Sequence, residues 1–448
     1  MLKDSGIIKS LREKISLTSV DRGRRIISGR HEQIRSLRQK LPPISKDGLV
    51  SKGKDLLPRQ YETFSNIRQN IRLPEISKDH IIRKGKDLLD SRVYYETLFY
   101  SKISNYSIPS LSEMYANSKF KTSIYRASEP SPCLDEIFYK HENLIPYGKE
   151  YWFAIFTSPE GRKPMQLVSC FGRRNSRRSI VDDIEVNGLN PTDGVLSTGA
   201  FAWCHDGKKK LLTPPLPTQT MTDGRSIATT GREFSMTISG TVPEYRVRID
   251  SDAISCDFRL TKPGSGYDEE ILNELKMGLN FQVYNLYYNF TGTLNDKEYS
   301  GRCYLQKVIL STPLVPWYWC RLVFGDGSFL VFFKPYFGSK EFNYPLRNKG
   351  VFYSAKHDRL FWFYNIDVTS DGRSHWWFRS RGDDYALDIM VKSYADHRFS
   401  FRSGGAFNYH EYMVNVRKFS FQSGDVRVKY RDLGPGAGLV EDATGILI

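Results

Sequence analysis

Four side chains in the C-terminal half of this 448-residue chain are of types that could give or take a proton: His375, His410, Glu411 and Glu441. His375 follows a Ser370-Asp371-Gly372 turn, precedes Trp376-Trp377 and has Asp367 near the same end. There it suits acid–base work at a barrel mouth, or it is a plain exposed histidine flanking a turn. His410 and Glu411 are neighbours in a strand-like run, so at most one of them can face a cavity. Glu441 lies beyond a Gly434-Pro435-Gly436 loop. A glutamate turned into an aromatic interior holds its proton more tightly and can act as an acid; the alternative is a structural carboxylate bonded to backbone amides. The matching wall is aromatic. Trp317, Trp319, Arg321 and Val323 share one face of a strand, and Tyr318, Cys320, Leu322 and Phe324 share the other. Trp317, Trp319 and Phe332 are expected to line an apolar site, with Arg321 meeting a polar head group or reaching solvent. The alternative for the tryptophans is a plug in a barrel floor or packing between two barrels.

Other chemistries find no support. The eight histidines form neither H-x-x-x-H nor H-E-x-x-H spacings, so no metal site is expected. A G-x-S-x-G nucleophile element, a Walker loop and a dinucleotide-binding glycine fingerprint are all missing, and no cofactor is expected. Six scattered cysteines without a C-x-x-C pair fit a reducing compartment. With no long apolar run and no apolar leader, a cytoplasmic location is expected.

The elements that must position these residues are strands. Trp317–Phe324 and Ser328–Phe333 flank Gly325-Asp326-Gly327, a hairpin signal in which glycine supplies the positive φ of a tight turn. Both strands carry large apolar side chains on both faces, so both faces must be covered. From about residue 94, short aromatic runs alternate with Gly, Asn, Asp and Pro turns, as in an all-β sandwich or barrel. The expected division is a first barrel over 111–277, closed by a short acid-rich helix from Tyr267 to Met277, and a second barrel over 278–448.

Residues 1–110 differ. They hold 23 Lys+Arg against 12 Asp+Glu, most of the chain's net charge of +15. Leu41–Leu57 returns 32 residues later as Leu73–Leu89 with 12 of 17 positions identical. Each copy reads as a proline break followed by a short basic amphipathic helix. The expectation is a basic helical extension that suits an anionic membrane surface or an acidic partner. Its interspersed acids and missing stacking aromatics argue against nucleic acid.

The run from Phe290 through Gly301-Arg-Cys-Tyr304-Leu, then Trp317-Tyr-Trp319 to Gly325-Asp-Gly, resembles the AttH-like/carotenoid 1,2-hydratase (hydroxyneurosporene synthase) family. Tyr409-His410-Glu411-Tyr412 and Gly438-Leu-Val-Glu441-Asp-Ala-Thr-Gly445 are similar to its closing strands. The resemblance implies two tandem lipocalin-like β-barrels, a hydrophobic isoprenoid or acyl ligand touching Tyr304, Trp317, Trp319, Arg321 and Phe332, and hydration of a terminal isoprenoid double bond by a lyase. Where the family has an acidic pair, this chain has Gln306-Lys307. Gln306 has no proton to give to carbon, and a desolvated lysine is a poor acid toward it, so Glu441, His375 and His410 become the candidate acids. Aromatic faces would stabilise the resulting cation. The competing expectation is a non-catalytic scaffold with plugged barrels whose basic arm binds a membrane surface or an acidic partner.

Overall fold

The computed structural model describes residues 121–447 apart from short segments, the longest being 129–136, 187–194 and 274–280. The basic extension 1–110 lies outside the described residues. What is described is almost entirely antiparallel strand. The first sheet uses β1 (Lys121–Arg126), β2 (Lys149–Ser158), β3 (Met165–Arg174), β6 (Leu196–Asp206), β7 (Lys210–Thr222), β8 (Ser226–Gly231), β9 (Phe234–Thr241), β10 (Glu244–Ser251), β11 (Ser255–Thr261), β12 (Tyr267–Asn273), β13 (Phe281–Leu294) and β14 (Lys297–Leu310). β4 (Ser179–Val181) and β5 (Ile184–Val186) form a hairpin that leaves this sheet and pairs with the second.

β13 pairs with both β11 and β14, which closes ten of these strands into an antiparallel barrel. Closure follows from strand length. β13 has 14 residues, and its Asn289–Leu294 part pairs with β11 while its whole length pairs with β14. The β13–β14 turn places Asn295 and Asp296 both at positive φ, the hairpin geometry that short polar residues tolerate. The strand pairing therefore puts Phe281–Leu310 in the first sheet, past the division at 277/278 read from the sequence. It also replaces the expected helix: Tyr267–Asn273 is strand β12, paired with β13 on one side and β1 on the other. β13 leaves Gln282–Leu286 open beyond the end of β11, and pairing with that edge outweighs the helical leaning of a Glu-rich segment.

The second sheet contains β15 (Trp317–Phe324), β16 (Phe329–Gly338), β17 (Asn343–Pro345), β18 (Lys349–Ser354), β19 (Arg359–Tyr364), β20 (Asp367–Ser370), β21 (His375–Arg381), β22 (Tyr385–Arg402), β23 (Ala406–Ser423), β24 (Val426–Lys429) and β25 (Gly436–Ile446). Its main path runs β19-β18-β16-β15-β25-β23-β22-β21-β20, and among the described residues no pairing joins its two ends. No helix among the described residues is long and apolar enough to cross a membrane.

Period-two alternation sorts most of the apolar side chains of the described residues into three main cores. Trp152, Ala154 and Phe156 of β2 point into the barrel, where Phe156, Phe258 and Phe290 meet with ring centroids 4.6–5.3 Å apart. Cys320, Leu322 and Phe324 of β15 point into the second sheet, where Phe352 of β18 meets Phe419 and Phe421 of β23 across the interior. Buried apolar side chains crowd both interiors. The third core is the seam between the sheets, built from outward faces of the barrel (Ile155, Val168, Phe201, Trp203, Tyr287, Tyr304) and of the second sheet (Trp319, Val323, Phe399, Tyr409, Met413, Leu439). Phe201 and Phe399 lie 3.9 Å apart across it.

Candidate functional site in the seam

The sequence-derived residues divide between the faces. Trp317, Trp319, Arg321 and Tyr304 all turn to the seam. Phe332 does not. It opposes Cys320 in the β15–β16 register and packs on Phe378 inside the second sheet, while its neighbour Phe333 opposes Trp319. Phe332 and the tryptophans thus sit on opposite faces of one sheet and line no common cavity.

Cross-strand pairing builds a row of chemistry on the seam face. Across β22, β23, β25 and β15 the register aligns His397, Glu411, Glu441 and Trp319 in sequence. Glu411 is fully buried and Glu441 is 8% exposed. Directly opposed residues of paired strands have Cβ atoms about 4.5–5.5 Å apart, so two carboxyls face one another away from bulk water. Tyr409 Oη donates to Glu441 Oε1 at 2.6 Å and Trp317 Nε1 donates to Oε2 at 2.8 Å. Trp203 Nε1, from the barrel, donates to Glu411 Oε2 and so ties the two sheets together through a buried polar contact. Glu411 Oε1 is buried with no hydrogen-bond partner. Among the described residues neither glutamate has an ion-pair partner.

Burial is the main cause that pushes the Glu411 carboxyl up to about 8, and Glu441 adds to it through like charge. Burial also pushes Glu441 up to about 7, partly offset by the Tyr409 and Trp317 hydrogen bonds, which favour its anion. Trp203 and Tyr409 hydrogen bonds likewise favour the Glu411 anion, yet burial and the Glu441 charge push Glu411 further up than Glu441, which makes Glu411 the better acid of the two. Burial, followed by the nearby Glu411 and Glu441 charges, raises the Cys170 thiol and keeps it neutral against the pair. At the end of the row, burial and then the Lys210 ammonium, 3.0 Å from Nδ1, push His397 down to about 4.

The other candidate acids lie elsewhere. His410 turns away from the seam, as its alternation with Glu411 requires, and its Nε2 and Nδ1 meet Asp396 Oδ2 and Tyr412 Oη, each at 2.8 Å. His375 lies on β21, separated from β25 by two strands, and its Nδ1 is 2.9 Å from Asp371 Oδ2 in the turn before it. Lys307 points into the barrel end, where its Nζ is 3.5 Å from the buried Glu150. The sequence reading did not single out Trp203 or His397, and it carried Glu411 only as the neighbour of His410. The signal for Glu411 was there: Phe407, Tyr409, Glu411 and Met413 form one period-two face with an acid in an apolar row. None of the five described cysteines is paired and all are buried. No group of metal-binding side chains occurs among the described residues.

At one mouth of the seam, Arg321 lies between the Tyr287 and Tyr304 rings at 4.5 and 4.4 Å. A cleft of about 20 Å³ opens there beside Arg302, Ser328 and Tyr353, large enough for about one water molecule.

No protein-family model and no curated protein sequence matches the chain. Solved structures do show similarity. A candidate AttH of Nitrosomonas europaea shares 15% identity over 66% of this chain and 92% of its own, with a TM-score of 0.42. CghA, solved with Sch210972, shares 10% over 67% and 89%, with a TM-score of 0.40. Kievitone hydratase of Nectria haematococca shares 12% over 67% and 89%, with a TM-score of 0.39. The AttH likeness is the one that the Trp317–Gly327 run suggests; at this depth of overlap, function must be read from the seam itself.

Proposed function

We propose that the chain takes a hydrophobic, unsaturated ligand into the seam between its sheets and protonates it there, as a lyase-type hydratase or an isomerase, within a tandem lipocalin-like architecture. The observation that carries this reading is the opposed, buried Glu411–Glu441 pair among tryptophan, tyrosine and aliphatic side chains, a setting that pushes both carboxyls upward. A neutral carboxylic acid in a dry, aromatic setting is the kind of donor that protonation of carbon requires. Glu411 gives its proton to one carbon of a double bond, whose π electrons form the new C–H bond. The cation left on the neighbouring carbon faces the indoles of Trp203, Trp317 and Trp319. Water then adds its oxygen, and its surplus proton returns to the carboxylate pair. If a proton is lost from an adjacent carbon instead, the outcome is isomerisation. Closely packed rings inside both sheets favour the seam as the ligand's path, and the seam must part to admit it.

The test is incubation of the full chain in deuterated water with polyenes, prenyl alcohols and unsaturated fatty acids, followed by mass spectrometry. A mass gain of one water, lost in Glu411→Gln, supports the reading. No gain across the panel, with no compound retained, refutes it and supports the second reading, a scaffold. That reading is favoured by the close ring packing in both interiors and by the water-sized cleft. A basic N-terminal arm at an anionic membrane surface fits either reading, because apolar ligands concentrate at membranes.

A further inference from the structure

One flank of the seam sets a buried nitrogen opposite a buried carboxyl oxygen. His397 of β22 opposes Glu411 of β23 in the register, so their Cβ atoms stand about 4.5–5.5 Å apart on the seam face. His397 Nε2 and Glu411 Oε1 are both buried, and neither has a hydrogen-bond partner. Tyr409 also faces Glu411, but its single hydroxyl proton goes to Glu441 at 2.6 Å. The other ring nitrogen fixes the tautomer. His397 Nδ1 lies 3.0 Å from Lys210 Nζ, and an ammonium has protons to give and no lone pair to accept one. Nδ1 is therefore the bare nitrogen, and the neutral ring carries its proton on Nε2. Burial, then Lys210, push the ring down to about 4; His410 assists and Asp396 opposes. Those last two bond to each other at 2.8 Å, away from the seam. Lys210 is exposed on β7 and also donates to the Asp396 carbonyl at 2.5 Å. β21 pairs with β22 only as far as Lys392, and β4 meets β22 again at Phe401. Between those points no strand among the described residues pairs with that edge of β22. His397 thus stands where solvent and seam meet.

We infer that His397 is the group through which Glu411 regains its proton from solvent, with Lys210 as the outer donor. When Glu411 is ionised, the Nε2 proton passes to Oε1 and Nδ1 takes a proton from the Lys210 ammonium. Lys210 then recovers a proton from solvent, so the net change is one proton moved from solvent to Glu411. The ring is left with its proton on Nδ1, facing an ammonium that can also only donate. That repulsion turns the ring outward, where exchange with water restores the Nε2–H form. The other groups that face the pair do not offer this path. Trp203 Nε1 donates to Glu411 Oε2, but an indole N–H is a donor only. Cys170 is held neutral by burial, and Glu441 is itself buried. The use of the route in a reaction rests on the proton-donor reading: a pair that loses its proton between turnovers is idle until one returns. His397 acts through Glu411 and has no need to touch the ligand.

The experiment is time-resolved infrared spectroscopy of the full chain after a jump from about pH 9 to about pH 6, following the protonated carboxyl signal that is lost in Glu411→Gln. In His397→Gln that signal should return about a hundredfold more slowly, the lower end of what a positioned proton carrier contributes. Its final amplitude should be unchanged, and added imidazole should restore part of the rate. A purely structural role for His397 would move the amplitude and would not be rescued by imidazole. Nitrogen NMR of the unaltered chain is a check that depends on no variant folding: the histidine that stays neutral down to about pH 4 should show a bare Nδ1 and a protonated Nε2 at pH 7. Equal rates in His397→Gln, no rescue by imidazole, a proton on Nδ1, or no Glu411 signal at pH 6 would overturn the assignment. The proton-donor reading fails separately. A slowed and rescued return, with no compound of the deuterium panel gaining mass, leaves the route standing and removes the reaction; equal rates with the mass gain intact do the reverse.

Discussion

Replacing Glu411 by glutamine should remove most of a specific pH dependence of folding. In the folded chain the Glu411 carboxyl is pushed from the ordinary 4.5 to about 8, chiefly by burial and then by Glu441. The unfolded chain releases the proton near pH 4.5 while the folded chain keeps it to near pH 8. Between those values the folded state binds the extra proton, so stability falls as pH rises. This contribution is fully present below pH 4.5 and gone above pH 8. At about 1.4 kcal/mol per pH unit the span is worth about 3–5 kcal/mol. Glutamine mimics the protonated acid and can still accept from Trp203 Nε1. The variant should therefore match the original chain at pH 5 and exceed it by about 3–5 kcal/mol at pH 9. Urea denaturation at pH 5, 6, 7, 8 and 9 measures this as the difference between two curves, in which every other titrating group largely cancels. Parallel curves would mean that Glu411 ionises in the folded chain as it does in the unfolded one, and the argument for a seam acid would be lost.

Other outcomes follow from the same geometry. Trp203→Phe should cost about 1–2 kcal/mol by removing the indole donor that joins the barrel to Glu411, and it should raise the pH at which Glu411 ionises. Phe332→Ala should destabilise by about 3–5 kcal/mol, read by urea denaturation, because it leaves a cavity against Phe378 inside the second sheet. His375→Gln and His410→Gln should leave any mass gain in deuterated water intact, since neither side chain reaches the seam. Sedimentation of the full chain with anionic vesicles should fall with added salt if the basic arm binds membranes; no sedimentation at low ionic strength would remove that role.

Much of this was readable as parity and little as partnership. The β15–β16 hairpin and the two faces of β15 follow from alternation alone, and Trp317, Trp319 and Arg321 do share a face. Alternation does not say what covers a face, so a seam between sheets and the lining of a barrel look alike in sequence. Phe332 shows how sharp the limit is: the turn sets a register in which Phe333 opposes Trp319, and a shift of one residue sends a side chain to the other face. The same rule separates His410 from Glu411. Tyr267–Asn273 reads as an acid-rich helix because only the long-range edge of β13 makes it a strand. The carboxyl pair needs β23 beside β25, a pairing set by the whole topology.

The most direct measurement is an infrared titration of the carboxyl C=O stretch in the full chain and in Glu411→Gln. A protonated buried carboxyl signal that persists at pH 6, titrates near pH 7–8 and loses its Glu411 component in Glu411→Gln, leaving that of Glu441, is the predicted result. No protonated carboxyl above pH 6, or a band unchanged in Glu411→Gln, would contradict the account.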